Sequence, residues 1–256
     1  MKKFFYFILI LLIVFAAIVL LIRRRPAPPA SNEISITFPE GFTLRQIEDR
    51  LAASGLAKKS DLADFKFIAA AEPPVLAGRP AGASLEGYLF PDTYRFYKNA
   101  TMTDIVYKIL ANLDEKITPD LRLGIKNSGR NFYEILTMAS IIEKEVPLDS
   151  DRPIIAGILW KRLDSGVPLQ ADATLAYITG RKNVAAADKK IDSPYNTYLY
   201  RGLPKGPIDN PGLSAIKAVI FPQKSPYWYY LSAKDGKTIY ARTLDEQNRN
   251  RAVYLK

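Results

Sequence analysis

The sequence of 256 residues contains neither cysteine nor histidine. The absence of cysteine excludes a thiolate nucleophile, an iron–sulfur cluster and a disulfide. The absence of histidine excludes a Ser-His-Asp triad, an imidazole base and a histidine-based zinc site. If the chain is an enzyme, its proton transfers have to be made by carboxylates, with lysine or tyrosine as weaker candidates.

One long apolar run lies at the amino terminus. Phe4–Ile22 has 19 residues without a charge, a proline or a glycine, and as a helix it would span about 28 Å, close to the hydrocarbon thickness of a bilayer. A cleaved signal peptide would have an apolar region of about 7–15 residues followed by small residues. Because this run is longer and ends in Arg23–Arg25, it favours an uncleaved anchor. Lys2 and Lys3 nearly balance the arginines, so charge alone does not set the orientation.

The net charge is +10, of which residues 1–25 carry five charges without an acid, so the remainder is about +5. This mildly basic balance suits an anionic surface, such as phospholipid head groups or an acidic polymer, and it equally fits ordinary solvated lysines. No basic stripe interleaved with aromatic residues is present, which argues against a nucleic-acid partner.

The residues after the anchor predict an α+β fold in two parts. Residues 26–33 are a Pro-rich linker, residues 34–75 a small α+β module, and residues 76–256 a larger mixed α+β domain. In the small module, Ile34–Phe38 alternates like a strand, and Thr43 caps a helix that ends near Gly55. Ser60 is expected to cap a second helix that continues through Ala70.

The larger region predicts several helices, followed by a β-hairpin in residues 227–242 and a helical tail in residues 243–256. The predicted helices are Thr103–Ile117, Asn131–Glu145, Arg152–Leu163 and Ala173–Ile178.

One glutamate lies in an unexpected place on the helix Asn131–Glu145. At about 100° per residue, Glu143 falls within the apolar stripe, whereas Glu145 points roughly 200° away, beside Glu134 on the polar side. The apolar stripe consists of Phe132, Ile135, Leu136, Ala139 and Ile142. A carboxylate in an apolar setting can donate a proton near neutrality, because its charged form is disfavoured. Alternatively, Glu143 lies at the edge of the stripe, where it binds a backbone group or pairs with an arginine.

Three further segments combine aromatic and polar residues with rigid turns: LEGYLFPDTYRF at 85–96, SPYNTY at 193–198 and RGLPKGPIDNPG at 201–212. A sugar ring offers an apolar face and hydroxyl groups, so such segments suit a glycan-binding groove. They equally suit core packing and plain turns.

Together with ASIIEKE at 139–145 and LQADATLAY at 169–177, these segments follow the order found in one family. The chain resembles the MltG or YceG-like family of endolytic murein transglycosylases over most of residues 34–256. Lys205 stands where the family usually has a second proline, and Ala173 stands where it often has one. The segment 34–70 looks like a reduced form of the family's LysM-like wall-binding subdomain, and the 71–84 loop is short for the family.

The resemblance implies lytic cleavage of peptidoglycan between N-acetylmuramic acid and N-acetylglucosamine, without water, leaving a 1,6-anhydromuramic end. It makes Glu143, the first glutamate of ASIIEKE, the catalytic residue. It implies no metal and no other cofactor, and it places the protein in the cytoplasmic membrane with the catalytic domain outside. The partners would be peptidoglycan strands, the lipid bilayer and peptidoglycan synthases, because the family is linked to the termination of nascent strands. The candidate substrate-binding residues are Gln170, Asp172, Thr174, Tyr195, Asn196 and Glu86.

Two alternatives stay open. A hydrolase would use Glu143 with Asp172 or Glu86, since that reaction needs a second carboxylate at about 5–9.5 Å, and it would leave reducing ends. A membrane-anchored scaffold would bind the wall without cutting it.

Overall fold

The computed structural model of the chain describes residues 32–67 and 72–255. The apolar run Phe4–Ile22 and nearly all of the Pro-rich linker lie outside the described residues. Among the residues that are described, none of the helices has the length and apolarity needed to cross a bilayer. Ser35–Lys256 forms one compact unit. The division of this unit at residues 75 and 76 stays a prediction.

The described residues contain eight α-helices and two small two-stranded sheets, which confirms the α+β class. The helices are α1 (Leu44–Ala53), α2 (Met102–Lys116), α3 (Pro119–Ser128), α4 (Phe132–Glu145), α5 (Arg152–Asp164), α6 (Asp172–Thr179), α7 (Leu213–Ile220) and α8 (Leu244–Tyr254). The strands are β1 (Glu33–Thr37), β2 (Thr93–Tyr97), β3 (Tyr229–Ser232) and β4 (Thr238–Ala241). β1 pairs with β2, and β3 forms an antiparallel hairpin with β4.

Helix α4 lies at the centre of the core. Its residues 135–142 are all buried, on every side of the helix, including Thr137 and Ser140. A helix that is buried all round must be covered by several neighbours, and α4 packs against α5, α6 and α7. The single apolar stripe predicted for this helix is therefore too narrow.

Local capping signals define several helix starts correctly. The Thr43 hydroxyl accepts the N–H of Gln46, and the Gln46 side chain accepts the N–H of Thr43, so α1 begins with a capping box. Asn131 and Glu134 form the same arrangement at the start of α4. The predicted strand in the small module, the four predicted helices of the larger region, the hairpin and the helical tail are confirmed within a few residues. The elements that the sequence analysis missed are β2, α3 and α7.

The second helix predicted for the small module is wrong over its described residues. Residues 60–64 form turns, residues 65–67 have no regular structure, and Ser60 adopts a left-handed conformation with φ of +74°. The buried Glu48 side chain of α1 accepts the N–H groups of Leu62 (3.2 Å) and Ala63 (3.1 Å). A tertiary carboxylate thus satisfies the backbone donors that a helix would leave free at its start.

The role of Glu48 leads to the first prediction. Glu48→Ala should lower the free energy of unfolding by roughly 1–3 kcal/mol, because two N–H groups lose their common acceptor. Glu48→Gln should cost less, since its amide oxygen can still accept. Urea unfolding of both variants, compared with the exposed neighbour Asp49→Ala, measures the effect. Equal costs for Glu48→Ala and Asp49→Ala would refute this role.

Candidate active site

The last residues of α4 place Glu143 between two donors from other elements. Its Oε1 accepts a hydrogen bond from Nη2 of Arg152 at 3.0 Å, and its Oε2 accepts the backbone N–H of Gly212 at 3.0 Å. The Glu143 side chain is 7% exposed. The surroundings of Glu143 are therefore polar. They match the alternative in which this glutamate binds a backbone group and pairs with an arginine.

Arg152, at the start of α5, binds both Glu143 and Val146, the residue that follows α4. Its Nε donates to the carbonyl oxygen of Val146 at 3.2 Å, and its Nη1 lies 3.2 Å from Oδ1 of Asp149. The guanidinium is nearly fully buried, and its direction is fixed by hydrogen bonds to Val146 and Glu143 and by the ion pair with Asp149. Since both Glu143 and Arg152 are held in this way, the carboxylate has a defined orientation.

A second carboxylate, Glu40, lies beside Glu143. Gly212 permits this approach, since a Cβ at Gly212 would lie only 2.0 Å from Oε1 of Glu40. Glu40 is exposed, and its partial burial together with the charge of Glu143 raises its pKa above 4.5. It belongs to the turn Pro39-Glu40-Gly41 between β1 and α1, to which the sequence analysis assigned no role.

Lys144 fixes the same turn to α4. Its Nζ donates to the carbonyl oxygen of Gly41 at 2.6 Å and lies 4.0 Å from Oδ2 of Asp209. Asp209 is completely buried, and neither of its carboxylate oxygens has a hydrogen-bond partner among the described residues. Burial raises the pKa of Asp209 well above its usual range; Lys144 opposes this shift, and the nearby Glu143 and Glu86 add to it.

Glu86 is a buried carboxylate that connects three segments. It accepts hydrogen bonds from the N–H of Leu44 (2.7 Å), from Nδ2 of Asn210 (3.1 Å) and from the hydroxyl of Tyr177 (3.4 Å). Burial raises the pKa of Glu86 from 4.5 to about 7, although these donors act in the opposite direction. The ring of Tyr177 lies 5.0 Å from that of Tyr195, so Glu86 and the predicted Tyr195 are brought to the same region.

The remaining candidate residues divide into two groups. Gln170 and Asp172 are exposed, with Gln170 Oε1 accepting from Arg162 at 2.8 Å and Asp172 Oδ1 accepting from a tyrosine hydroxyl at 2.6 Å. Thr174 and Asn196 are fully buried and bind protein groups in their own neighbourhood. Contacts of any of these residues with a sugar stay a prediction.

Several site residues were missed by the sequence analysis: Glu40, Lys144, Glu145, Arg152, Asp209 and Gly212. Glu145 was predicted to be an ordinary surface glutamate, but its Oε1 accepts the N–H of Ala173 at 2.8 Å. Gly212 and Asp209 belong to the segment 201–212, which the sequence analysis did single out. Neither the segment 201–212 nor ASIIEKE indicates by its own sequence that the two lie in contact at the end of α4.

Comparison with known proteins gives the class to which this arrangement belongs. The profile of the YceG-like family matches residues 15–253. The chain therefore belongs to the YceG-like family, which confirms the resemblance drawn from the motifs.

Individual relatives agree with this assignment. A protein of Streptococcus pneumoniae serotype 2 (strain D39 / NCTC 7466), named endolytic murein transglycosylase, is 35% identical over 246 residues, covering 86% of this chain and 44% of that protein. A Bacillus subtilis (strain 168) protein of the same name is 37% identical over 173 residues, covering 67% and 48%. A crystal structure of a YceG-like protein from Listeria monocytogenes matches with a TM-score of 0.75 and 34% identity, covering 88% and 77%. The chain thus spans about half the length of these curated relatives.

The raised pKa of Glu86 predicts a pH dependence of stability. Because its pKa is higher in the folded chain than in the unfolded one, its stabilising contribution is complete below pH 4.5 and is lost as the pH rises through about 7. Glu86→Gln does not titrate, and its amide nitrogen can donate to Tyr177. The free energy of unfolding of this variant should therefore fall less steeply between pH 4.5 and 7, measured by urea unfolding.

Glu115→Gln, on the exposed face of α2, is the control and should keep the slope of the unchanged chain. Equal slopes for Glu86→Gln and the unchanged chain would contradict the assignment.

Proposed function

We propose that this chain is an endolytic lytic transglycosylase that cleaves peptidoglycan strands between N-acetylmuramic acid and N-acetylglucosamine. The observation that carries the proposal is the position of Glu143, in a chain of a family whose curated relatives are named endolytic murein transglycosylases. This glutamate, the first of the ASIIEKE segment, is fixed from two sides where α4, α5 and the start of α7 meet.

The proposed reaction needs one carboxyl group, which acts twice. Glu143 in its acid form gives its proton to the glycosidic oxygen while the bond from that oxygen to C1 of the muramic sugar breaks. The C6 hydroxyl of the same sugar then bonds to C1, and its proton passes to the Glu143 carboxylate. Glu143 is thus an acid again, and the product is an anhydro sugar formed without water.

The donors around Glu143 stabilise its charged state in this cycle. After proton transfer, the carboxylate keeps hydrogen bonds from Arg152 and from the N–H of Gly212, which stabilise its charge. When Glu143 carries the proton, Asp149 at 3.2 Å offers the guanidinium of Arg152 another partner. Arg152 is therefore proposed to hold the carboxylate in place while its charge changes.

The other predicted features belong to the same proposal. Gln170, Asp172, Thr174, Tyr195, Asn196 and Glu86 are proposed to shape the sugar site, the exposed members by contact and the buried ones by fixing the loops. Phe4–Ile22 is proposed to anchor the chain in the cytoplasmic membrane, with residues 26–256 outside the cytoplasm. The 34–75 segment is proposed to be a reduced LysM-like module, and the enzyme is proposed to end nascent strands beside synthases.

One observation favours a second candidate function, a two-carboxylate hydrolase. A hydrolase needs a second carboxylate to act as a nucleophile or to activate water. Asp172 and Glu86, the partners considered from the sequence, are bound to other groups, whereas the exposed Glu40 lies directly beside Gly212 and Glu143. Glu40 is therefore the better partner for this alternative.

Product analysis tests the proposal. The 256-residue chain in detergent micelles should convert purified peptidoglycan into anhydromuramic products, which are one water lighter than hydrolytic products. Glu143→Gln keeps the shape but loses the proton, so its rate should fall by roughly 10²–10⁴-fold. Glu134→Gln, on the same helix, should keep full activity, since glutamine also suits its capping position. The sugar ends are identified by mass spectrometry.

Each other result points to a different conclusion. Activity of Glu143→Gln close to that of the unchanged chain would refute the catalytic assignment. Reducing ends that disappear with Glu40→Gln would establish the hydrolase, whereas anhydro ends that persist with Glu40→Gln would exclude it. Binding without any cleavage would favour a scaffold.

A further inference from the structure

The second glutamate of the segment, Glu145, stabilises the start of another helix. Its Oε1 accepts the N–H of Ala173 at 2.8 Å, within the first turn of α6. The N-cap residue of α6 is Ala171, whose side chain has no acceptor. Helix starts leave backbone N–H groups without partners, and an acceptor there typically contributes about 1 kcal/mol. Glu145 thus supplies from α4 the cap that α6 lacks in its own sequence.

Helix α6 and the two residues before it carry several groups that the proposed function uses. Gln170 adopts a left-handed conformation with φ of +56°, and Arg162 binds its side chain. Asp172 opens the helix and accepts the hydroxyl of Tyr198. Further along α6, Tyr177 donates to Glu86. A non-glycine residue in such a conformation persists only where its surroundings define it, so the start of α6 is a precisely fixed part of the site.

We propose that Glu145 is a positioning residue, which holds the start of α6, with Gln170 and Asp172, in register with the end of α4 that carries Glu143. The part of this proposal that concerns substrate rests on the proposed function. Glu143 has its own partners, Arg152 and Gly212, neither of which binds Glu145. Loss of the Glu145 cap should therefore change the binding of the glycan more than the chemical step.

The surroundings of Glu145 make this contact sensitive to pH. Asp172 of α6 faces it, as do Tyr198 from the loop before α7 and Tyr230 from β3. Arg162 and Arg251 lie near these two tyrosines. Burial, with the charge of Asp172, raises the pKa of Glu145 to about 7, against the pull of the α6 N–H groups. The pKa values of both phenols are raised above 10, so neither tyrosine ionises below pH 8.

Protonation of Glu145 favours the docked state of α6. When α6 opens, Glu145 meets water and its pKa returns toward 4.5, so the docked helix binds the proton more tightly than the open one. Docking of α6 is therefore most stable below pH 4.5 and weakens as the pH rises through about 7. Glu145→Gln resembles the protonated residue at every pH, because it has the same shape, an amide oxygen that accepts and no charge.

Hydrogen exchange tests the cap without any assay of activity. In the unchanged chain, the protection of the α6 amides, corrected for the intrinsic rate, should fall by about 10-fold or more between pH 5 and pH 8. Glu145→Gln should match the unchanged chain at pH 5 and lose less protection by pH 8, because only Glu86 still titrates beside α6. At pH 5, Glu145→Ala should have about 10-fold less protection than the unchanged chain, since it has no acceptor. Glu134→Gln, the same substitution on the same helix, should behave like the unchanged chain.

Steady-state cleavage of purified peptidoglycan tests the link to the site. Glu145→Ala should raise KM about 10-fold and leave kcat within about 2-fold. In the unchanged chain KM should rise from pH 5 to pH 8, and in Glu145→Gln it should rise less. Glu86 titrates in both proteins, so the difference between their profiles isolates Glu145. If Glu145→Ala does not fold, as judged by circular dichroism, the comparison of Glu145→Gln with the unchanged chain decides.

Two results would overturn the proposal: α6 protection that follows the same pH course in Glu145→Gln and in the unchanged chain, or a loss in kcat with KM unchanged. A chain that never cleaves peptidoglycan would refute the proposed function instead, and the exchange experiment would still decide whether Glu145 holds α6.

Discussion

The burial of residues 135–142 of α4 on every side is the constraint on which the rest of this structure depends. Residues 135–142 have no exposed side, so the helix can only end inside a junction of other elements. Of its last three residues, Glu143 and Glu145 are partly buried carboxylates that need partners there, and Lys144 is exposed but also makes a contact. Each binds a different part of the chain: α5 with the start of α7, the turn before α1, and the start of α6. The candidate site is the junction that these contacts create.

Carboxylates replace histidine as the groups that titrate near neutrality in this chain. Histidine is the side chain whose ordinary pKa lies in that range, and the sequence has none. Burial raises the pKa of Glu86 and that of Glu145 to about 7, and both side chains contact α6. Unlike an imidazole, each becomes negative as the pH rises, so the interior around α6 gains like charges above neutrality.

Sequence patterns predicted the parts of the fold that depend on near neighbours. The capping boxes at Thr43 and Asn131 lie within four residues, and both helices begin as expected. The angle around α4 drew attention to Glu143, yet burial on every side of the helix means that the angle could not describe its surroundings. The prediction for Glu145 was wrong because its partner on α6 lies 28 residues later in the sequence. Contacts between residues far apart in sequence, such as that of Glu40 with Gly212, produce no local pattern from which they could be predicted.

The pairing of Phe42 with Asn210 has a consequence for the order of synthesis. The backbone N–H and the side-chain amide of Asn210 both donate to the carbonyl oxygen of Phe42, 168 positions earlier in the sequence, and the N–H of Gly41 donates to the Asn210 carbonyl. A growing chain therefore carries Glu143 long before it possesses Gly212 or the strand-like contact that holds the 39–41 turn. Local helices can form early, but contacts this distant close late. The carboxylate reaches its final setting only after Gly212, 69 residues later in the sequence, has been made, so its hydrogen bonds are completed later than the helix that carries it.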